Sequence, residues 1–333
     1  SDAHLIEKIS DENEMTNLGI LRLMCVFYMD AYKPCKRMDR LNELEQKTFN
    51  INIFDEYIKK CEETGNCFDL FDDNLPFLQT SEMNIGKISV SKISDYDSAG
   101  EATSFFSGKL EKEYEFTPAE CTRKLCQKMT TVSRATAGEG YQAFTPLLNA
   151  VFVLNKGNNL KETIVLNSLS KEEWKNTETI FSYGVEEDDG PSWRQGKITD
   201  VKKEKVNIIY SLLSMMTFMP INIQLIQDKD GMVRKIYYTS KNFKEYADKN
   251  KDDKLFEYKD PMIVMEKELK KGKLIVKRAE LNPSIGLWEI LDAANIATQK
   301  EVILSAVIKN NNCICKEVWS PCKNEKTTGV IYH

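Results

Sequence analysis

The chain has 333 residues, 41% of them hydrophobic and 10% aromatic, which is enough to build the core of one large or two ordinary domains. Its formal net charge of −5 argues against a protein that coats nucleic acid by charge alone, so any nucleic-acid contact must be local. Neither a run of about 18 apolar residues nor a basic and apolar leader occurs in the sequence. We therefore predict a cytoplasmic protein with no membrane partner.

Histidine is nearly absent, since it occurs only at His4 and His333, beside the chain ends. Histidine is the side chain most often used for proton transfer near neutral pH, so its absence from the interior argues against most acid–base chemistry. Without an interior histidine, a serine or cysteine nucleophile would also lack the general base that activates it. Neither a P-loop nor a dinucleotide-binding glycine motif occurs. We therefore interpret the chain as a binding subunit without catalytic residues, and not as an enzyme.

Two groups carry residue types that bind metals. The nine cysteines are odd in number and scattered, which is typical of reduced thiols. Cys313, Cys315 and Cys322 supply three thiolates but no paired C-x-x-C spacing, so idle thiols are favoured over a zinc site. The acidic run 186–189 has the carboxylates that divalent cations prefer, but its position before Pro191 favours a solvated loop. We expect no metal and no cofactor.

Two helices are predicted in the first 130 residues. Apolar residues cover a broad face from Leu18 to Ala31, which is typical of a helix buried in a core. A second helix begins at Thr117-Pro-Ala-Glu120, where threonine can cap, proline takes the first helical position and glutamate can close a capping box. The stretch from Glu82 to Phe116 is too long for a routine connection, and loops of this length are usually functional or disordered.

Several strands are predicted in the second half of the chain. The apolar run Leu147–Leu154 indicates a buried strand, and a further strand follows at 160–169 after a turn. The segment Val206–Ile226 indicates a helix that passes into a strand near Pro220. Ile236–Thr239 reads as a strand, and Met262–Leu269 with Lys273–Leu281 reads as a hairpin. Without a regular βαβ alternation, the predicted fold class is α+β. Trp193, beside Pro191, is predicted to anchor its loop to the core.

Six short motifs in order carry a resemblance to a known family. They are Phe68-Asp-Leu-Phe71 with Pro76–Gln79, Gly157–Asn167, Asp189-Gly-Pro-Ser-Trp193, Lys259–Met262, Gly286-Leu-Trp288 and Lys309-Asn310-Asn311. In this order and spacing, the chain resembles CasA, the large subunit of the type I-E CRISPR surveillance complex Cascade. The resemblance implies an irregular, mixed α+β large N-terminal domain over 1–320, without the family's first strands. It also implies that a C-terminal helical bundle, otherwise missing, starts at 321–333.

The resemblance implies a function as well. CasA proteins are not enzymes. They read the protospacer-adjacent motif in double-stranded DNA, help to open the duplex, and recruit the helicase-nuclease that degrades the target. The implied partners are therefore double-stranded target DNA, that helicase-nuclease, and the other Cascade subunits with their guide RNA. In such complexes, guide RNA reads sequence by base pairing while protein reads a short motif.

The family reads the motif from the minor groove with a glycine loop, which falls here on Thr136, Ala137, Gly138, Glu139 and Gly140. The groove is only about 6 Å wide, so a loop without Cβ atoms brings backbone N–H groups close to base edges. Glu139 departs from the family pattern, because a carboxylate meets strong negative potential between phosphates. Either this side chain points outward or motif recognition differs.

Three further elements follow from the resemblance. The family's glutamine wedge, which splits the first base pair, aligns with Asn312, and asparagine keeps the amide but is one methylene shorter. The family's lysine finger lies on Lys235 or Lys241. The irregular stretch before Thr117 corresponds to a loop that reaches DNA and guide RNA, where Phe106 supplies an aromatic contact and Lys109 and Lys112 supply phosphate contacts.

Two other hypotheses stay open at this point. The first is an interaction or scaffold protein that shares an aromatic core with the family and has no nucleic-acid recognition. The second is an enzyme that uses a metal at 186–189. Association with Cascade subunits separates the first from the favoured interpretation, and calorimetric titration with Mg²⁺ or Mn²⁺ tests the second.

Overall fold

The structure, a computed structural model, describes residues 2–65, 68–81, 83, 85–94, 114–130, 150–176, 190–194, 213, 216–217, 219, 221–240, 262, 265–270, 273–278, 300–308, 311–321 and 330–332. Within these residues helices and strands are mixed, which confirms the α+β class. None of the helices in this part of the chain is both long and apolar enough to cross a bilayer.

The described residues form six α-helices. They are α1 (Glu14–Tyr32), α2 (Arg37–Glu45), α3 (Ile51–Glu62), α4 (Pro118–Thr130), α5 (Leu160–Leu166) and α6 (Lys171–Asn176). Short 3₁₀ turns occur at Asp2–His4, Val90–Ile93 and Ser192–Arg194.

The described strands form three antiparallel sheets. The strands are β1 (Lys87–Ser89), β2 (Ala150–Asn155), β3 (Ile221–Gln227), β4 (Val233–Ser240), β5 (Met265–Lys270), β6 (Lys273–Arg278), β7 (Lys300–Ile308), β8 (Asn311–Pro321) and β9 (Val330–Tyr332). Their orders are β1-β4-β3, β2-β7-β8-β9 and β5-β6. The hairpin predicted around 262–281 is confirmed as the pair β5-β6. The strand predicted at Leu147–Leu154 is confirmed for its described part, β2.

Helix α1 is the central helix of the core. The side chain of Asn13 caps it by accepting a hydrogen bond from the N–H of Met15 at 2.9 Å, and it ends where Lys33 adopts a left-handed φ of 47°. Met15, Leu18 and Cys25 are fully buried. This confirms the buried helix predicted from the apolar pattern.

Helix α4 begins with the predicted capping box. The N–H of Thr117 donates to Glu120 Oε2 at 2.7 Å, and the N–H of Glu120 donates to Thr117 Oγ1 at 3.2 Å. The bond from the Thr117 N–H lowers the pKa of the Glu120 carboxyl. The helix then packs against α1 at close range, because Gly19 of α1 faces the backbone of Cys126.

Two buried cations attach α2 to the segment that follows β2. Lys161 is 1% exposed; its ammonium donates to the carbonyls of Glu43 and Gln46 and lies 5.5 Å from the ring centroid of Phe49. Arg40 donates to Glu173 Oε1 at 2.8 Å and to Oε2 at 3.2 Å. Burial is the largest single effect and raises the pKa of the Glu173 carboxyl, but the hydrogen bonds from Arg40 and Ser170 and the charge of Arg40 together leave it lowered.

The structure corrects the sequence analysis in two segments. The region 160–169 was predicted as a strand, but Leu160–Leu166 is helix α5. The side chain of Asn159 accepts from the N–H of Glu162 at 2.9 Å, so a local N-cap starts a helix despite the apolar, β-branched composition. At 321–333 we predicted the start of a helical bundle, but Pro321 ends β8 and Val330–Tyr332 form β9, paired with β8.

Because α1 and α4 cross closely at Gly19, adding one methyl group there should destabilise the protein. A Cβ at residue 19 would lie 2.2 Å from the carbonyl oxygen of Cys126, so Gly19→Ala forces the two helices apart. We expect a loss of about 2 kcal/mol of stability or more, because overpacking exceeds the roughly 1 kcal/mol that alanine gains over glycine in a helix. Thermal unfolding followed by circular dichroism measures this loss.

Gly86→Ala is the matched control, since a Cβ there meets nothing within 4 Å. We expect this variant to stay within about 0.5 kcal/mol of the wild type. Equal melting temperatures for Gly19→Ala and the wild type would contradict the close packing of α1 on α4.

Candidate nucleic-acid interface

A buried polar network fixes the segment 190–194 against the helices. Asp30 of α1 is 2% exposed, and its Oδ2 lies 2.8 Å from Arg194 Nε and accepts a hydrogen bond from the Tyr57 hydroxyl at 2.6 Å. Trp193 Nε1 donates to that hydroxyl at 2.8 Å. Burial and the neighbouring Asp30 carboxylate raise the pKa of Tyr57. The network joins three distant parts of the sequence and confirms that Trp193 anchors its loop to the core.

The first family motif packs on the same network. The ring centroids of Phe68 and Phe77 lie 6.0 Å and 5.8 Å from that of Trp193. Gln79 Nε2 donates to the carbonyl of Leu70 at 2.8 Å, and its Oε1 accepts from the N–H of Leu225 in β3 at 2.7 Å. The motif at 68–79 therefore connects the aromatic cluster to the three-stranded sheet, and its role in this structure is to hold the scaffold together.

Two well-packed elements flank the predicted minor-groove loop. Thr136, Ala137, Gly138, Glu139 and Gly140 lie outside the described residues. The chain enters this region from Thr130, the last residue of α4, and leaves it at Ala150, the first residue of β2. Helix α4 is fixed on α1, and β2 is paired along its whole length with β7. The residues on either side of segment 131–149, which contains the predicted loop, thus belong to elements that the core holds.

The strand register places the predicted wedge near the exit of that loop. Asn312 lies in β8 opposite Val307, and the pairing of Ile308 with Asn311 puts it beside the β7–β8 connection. Ala150 lies opposite Ser305 in β7. Ala150 and Asn312 are thus two strands and two residues apart, which corresponds to about 12 Å. The sheet thus brings Ala150, the first described residue after the segment that contains the predicted loop, to the same end as Asn312.

The lysine-finger prediction has one candidate in the described structure. Lys235 is exposed on β4, opposite Ser89 in β1 and Ile226 in β3. It lies in a different sheet from Asn312. Lys241 and the predicted DNA and guide contacts Phe106, Lys109 and Lys112 lie outside the described residues.

The structure also shows two features that sequence reasoning missed. One is the Asp30, Tyr57 and Arg194 network, whose members carry no local signal because they come from three different segments. The other is Lys87, which lies on β1 opposite Tyr237. Only the strand pairing shows that Lys87 and Lys235 share one sheet face, so no local pattern could have revealed it.

The described part of the chain offers no cluster of three or more side chains suited to hold a metal ion. The acidic run 186–189 and Cys322 are outside that part. Cys25, Cys61, Cys121 and Cys126 are buried free thiols, and burial raises the pKa of Cys121 and Cys126 to about 12. Thiols with so high a pKa stay protonated at neutral pH and are poor nucleophiles and metal ligands.

Comparison with solved structures defines the fold. The structure of Thermobifida fusca Cse1 has a TM-score of 0.68 at 17% identity, over 96% of this chain and 68% of that chain. Thermus thermophilus CasA (Cse1) gives 0.66 at 17%, over 96% and 69%. Cse1 from Acidimicrobium ferrooxidans gives 0.66 at 17%, over 96% and 65%. This chain thus shares their fold and spans about two thirds of their length.

The family follows from the sequence. Residues 1–311 match the family model described as CRISPR-associated protein Cse1, so the chain belongs to the Cse1 family, also called CasA. None of the curated proteins compared with the chain matches it.

The buried network predicts a large loss of stability from one substitution. Arg194→Met keeps an unbranched apolar stem but leaves the Asp30 carboxylate buried without its cation. We expect this change to cost about 3–5 kcal/mol, because an unpaired buried charge is not compensated by water. Chemical denaturation of purified variants measures the loss.

Arg37→Met serves as the control for this variant. The Arg37 side chain is 71% exposed and its nitrogen lies 3.9 Å from Glu173, so the pair is weak and screened by solvent. An Arg194→Met protein as stable as the Arg37→Met protein would show that the network does not hold segment 190–194.

Proposed function

We propose that this protein is a non-catalytic subunit of the CRISPR RNA-guided surveillance complex Cascade. In this proposal it recognises the protospacer-adjacent motif in double-stranded DNA, aids duplex opening and recruits the helicase-nuclease. Membership of the Cse1 family supports the place in Cascade. The observation that carries the DNA-reading role is the strand register, which puts the exit of the 131–149 segment and Asn312 about 12 Å apart at one end of one sheet.

Motif reading is assigned to the loop Thr136–Gly140. Its glycines, Gly138 and Gly140, let backbone N–H groups approach base edges in a groove about 6 Å wide. The firm anchors at Thr130 and Ala150 support this role, because a reading loop must keep its position against the duplex. This proposal requires the Glu139 carboxylate to be directed away from the phosphates, which would otherwise repel it.

Duplex opening is assigned to Asn312. Unstacking a base step costs about a few kcal/mol, so a wedge must be held by a rigid element to do this work. Asn312 is part of the ladder between β7 and β8 and follows directly on the residue that closes the connection. The asparagine side chain has a short reach, so it can act as a wedge only if the first base pair lies close to β8. In this proposal the reading loop holds the duplex at that position.

The net charge of −5 explains why the assembled complex is needed. Binding to duplex DNA draws most of its strength from neutralised phosphates, and this chain supplies few positive charges in excess. The other subunits and the guide RNA supply the basic channel and the base pairing, and tethering to them raises the effective concentration of this protein at the target. The lysine-finger candidates, Lys235 and Lys241, and the loop residues Phe106, Lys109 and Lys112 add local contacts in this proposal.

The reading loop is tested by adding two methyl groups. In Cascade assembled with this protein, Gly138→Ala with Gly140→Ala should remove the preference for motif-bearing duplex, because Cβ atoms keep the backbone from the base edges. Gly86→Ala is the control and should retain the preference. The measurement is the ratio of Kd values for duplexes with and without the motif. A ratio equal to that of wild type would sink the assignment of this loop.

The wedge is tested separately. Asn312→Ala should leave motif-dependent binding intact but slow opening of the first base pairs, read from the fluorescence of 2-aminopurine placed beside the motif. We expect at least a severalfold slower opening, because each unstacked step loses its compensating contact. Opening at the wild-type rate would remove Asn312 from this role.

A further inference from the structure

The outer face of the three-stranded sheet carries two lysines and a tyrosine in one patch. Lys87 on β1 is directly opposite Tyr237 on β4, and its ammonium lies 5.7 Å from the centroid of the tyrosine ring. Lys235, two residues from Tyr237, lies opposite Ser89 and points to the same side of the sheet. All three residues of β1 are exposed, and Lys235 is exposed as well. We call Lys87, Lys235 and Tyr237 the lysine face.

The lysine face is open on the β1 side and covered on the β3 side. Thr80 Oγ1 donates to Asn222 Oδ1 at 3.1 Å, and the N–H of Met83 donates to Gln224 Oε1 at 3.3 Å. These contacts place the chain around 80–83 next to β3 and leave the exposed residues of β1 uncovered. A partner can therefore reach the half of the sheet that carries both lysines.

Among the described residues, the carboxylates near β4 are separated from the lysine face. The strand positions that share its side of the sheet are Ser89, Thr239, Asn222, Gln224 and Ile226, and none of them is acidic. The acidic residues near β4 instead surround Arg234: Glu115, Asp228 and Asp230 have oxygens 2.6 Å, 3.0 Å and 2.7 Å from its guanidinium. The two lysines thus keep positive charge available in a protein whose net charge is negative.

We propose that the lysine face binds the phosphate backbone of duplex DNA outside the motif. Lys87 and Lys235 are diagonal neighbours on adjacent strands, which places their Cβ atoms about 7–8 Å apart. One DNA strand carries a phosphate for about every 3.4 Å of helix axis, so two such lysines can neutralise neighbouring phosphates of one strand. The ring of Tyr237 holds the Lys87 ammonium in place by a cation–π contact.

The position of the face in the fold supports a contact outside the motif. Val233, at the start of β4, exchanges two backbone hydrogen bonds with Phe116, at 3.0 Å and 2.9 Å, just before α4 begins. The segment with the predicted reading loop follows the other end of α4, which has 13 residues and is therefore about 20 Å long. For Lys235 this geometry favours a contact with the phosphate backbone of DNA over the role of a lysine finger that reads the groove.

This inference rests on the proposed function, and the salt dependence of binding tests it. In Cascade assembled with this protein, the double variant Lys87→Gln with Lys235→Gln should lower the slope of log Kd against log salt by roughly 2, since each phosphate contact contributes about 0.9. The ratio of Kd values for duplexes with and without the motif should stay at the wild-type value, because phosphates carry no sequence information.

Lys229→Gln is the matched control. Lys229 is an exposed lysine next to the same sheet, in the β3–β4 turn between Asp228 and Asp230. We expect it to leave the salt slope unchanged.

Each result separates the two proposals. Wild-type complex without motif preference would overturn the proposed function itself. Motif preference in the wild type together with an unaltered salt slope in the double variant would overturn only the lysine face. A changed ratio of Kd values in the double variant would also overturn the lysine face as a phosphate contact, and would indicate that the two lysines read the groove. A double variant that loses guide RNA or fails to assemble into the complex would overturn it as well, and would indicate that the lysines contact RNA or another subunit.

Discussion

The buried carboxylate of Asp30 is the constraint on which much of this structure depends. A charge that is 2% exposed in the last turn of α1 needs a cation and hydrogen-bond donors, and Arg194 and Tyr57 supply them. To do so, the segment 190–194 and helix α3 must both reach α1. The aromatic rings around Trp193 fill the space between them. One polar group thus fixes where three parts of the chain meet.

Helix α1 also supports the region that is proposed to contact DNA. Its N-terminal half packs against α4, where Gly19 allows contact with the backbone of Cys126. Helix α4 leads into the segment of the predicted reading loop, and β2 receives the chain from it. Because β2 pairs with β7 and β7 with β8, the exit of this segment and Asn312 belong to one hydrogen-bonded sheet. The proposed reading and opening roles would therefore share one rigid support.

Local signals in the sequence predicted local structure well. The apolar pattern of α1, the capping box of α4 and the β5-β6 hairpin were all predicted and confirmed, because each depends on residues close in sequence. The stretch after Asn159 was predicted wrongly as a strand, since its β-branched composition masked the N-cap formed by Asn159 with Glu162. Strand order, the Asp30 network and the pairing of Lys87 with Tyr237 depend on distant residues, so no local pattern encodes them. The motif order indicated the family but not the arrangement of its sites.

The proposed DNA-reading role is tested most directly by complementation of a Cascade complex that lacks its large subunit. Binding of double-stranded target DNA is measured with and without this protein, on targets that differ only in the motif. We expect that adding the protein restores binding and that the restored binding is selective for the motif. A folded protein that joins the complex but restores no motif-selective binding would contradict the DNA-reading role, and a protein that does not join the complex would contradict its place in Cascade.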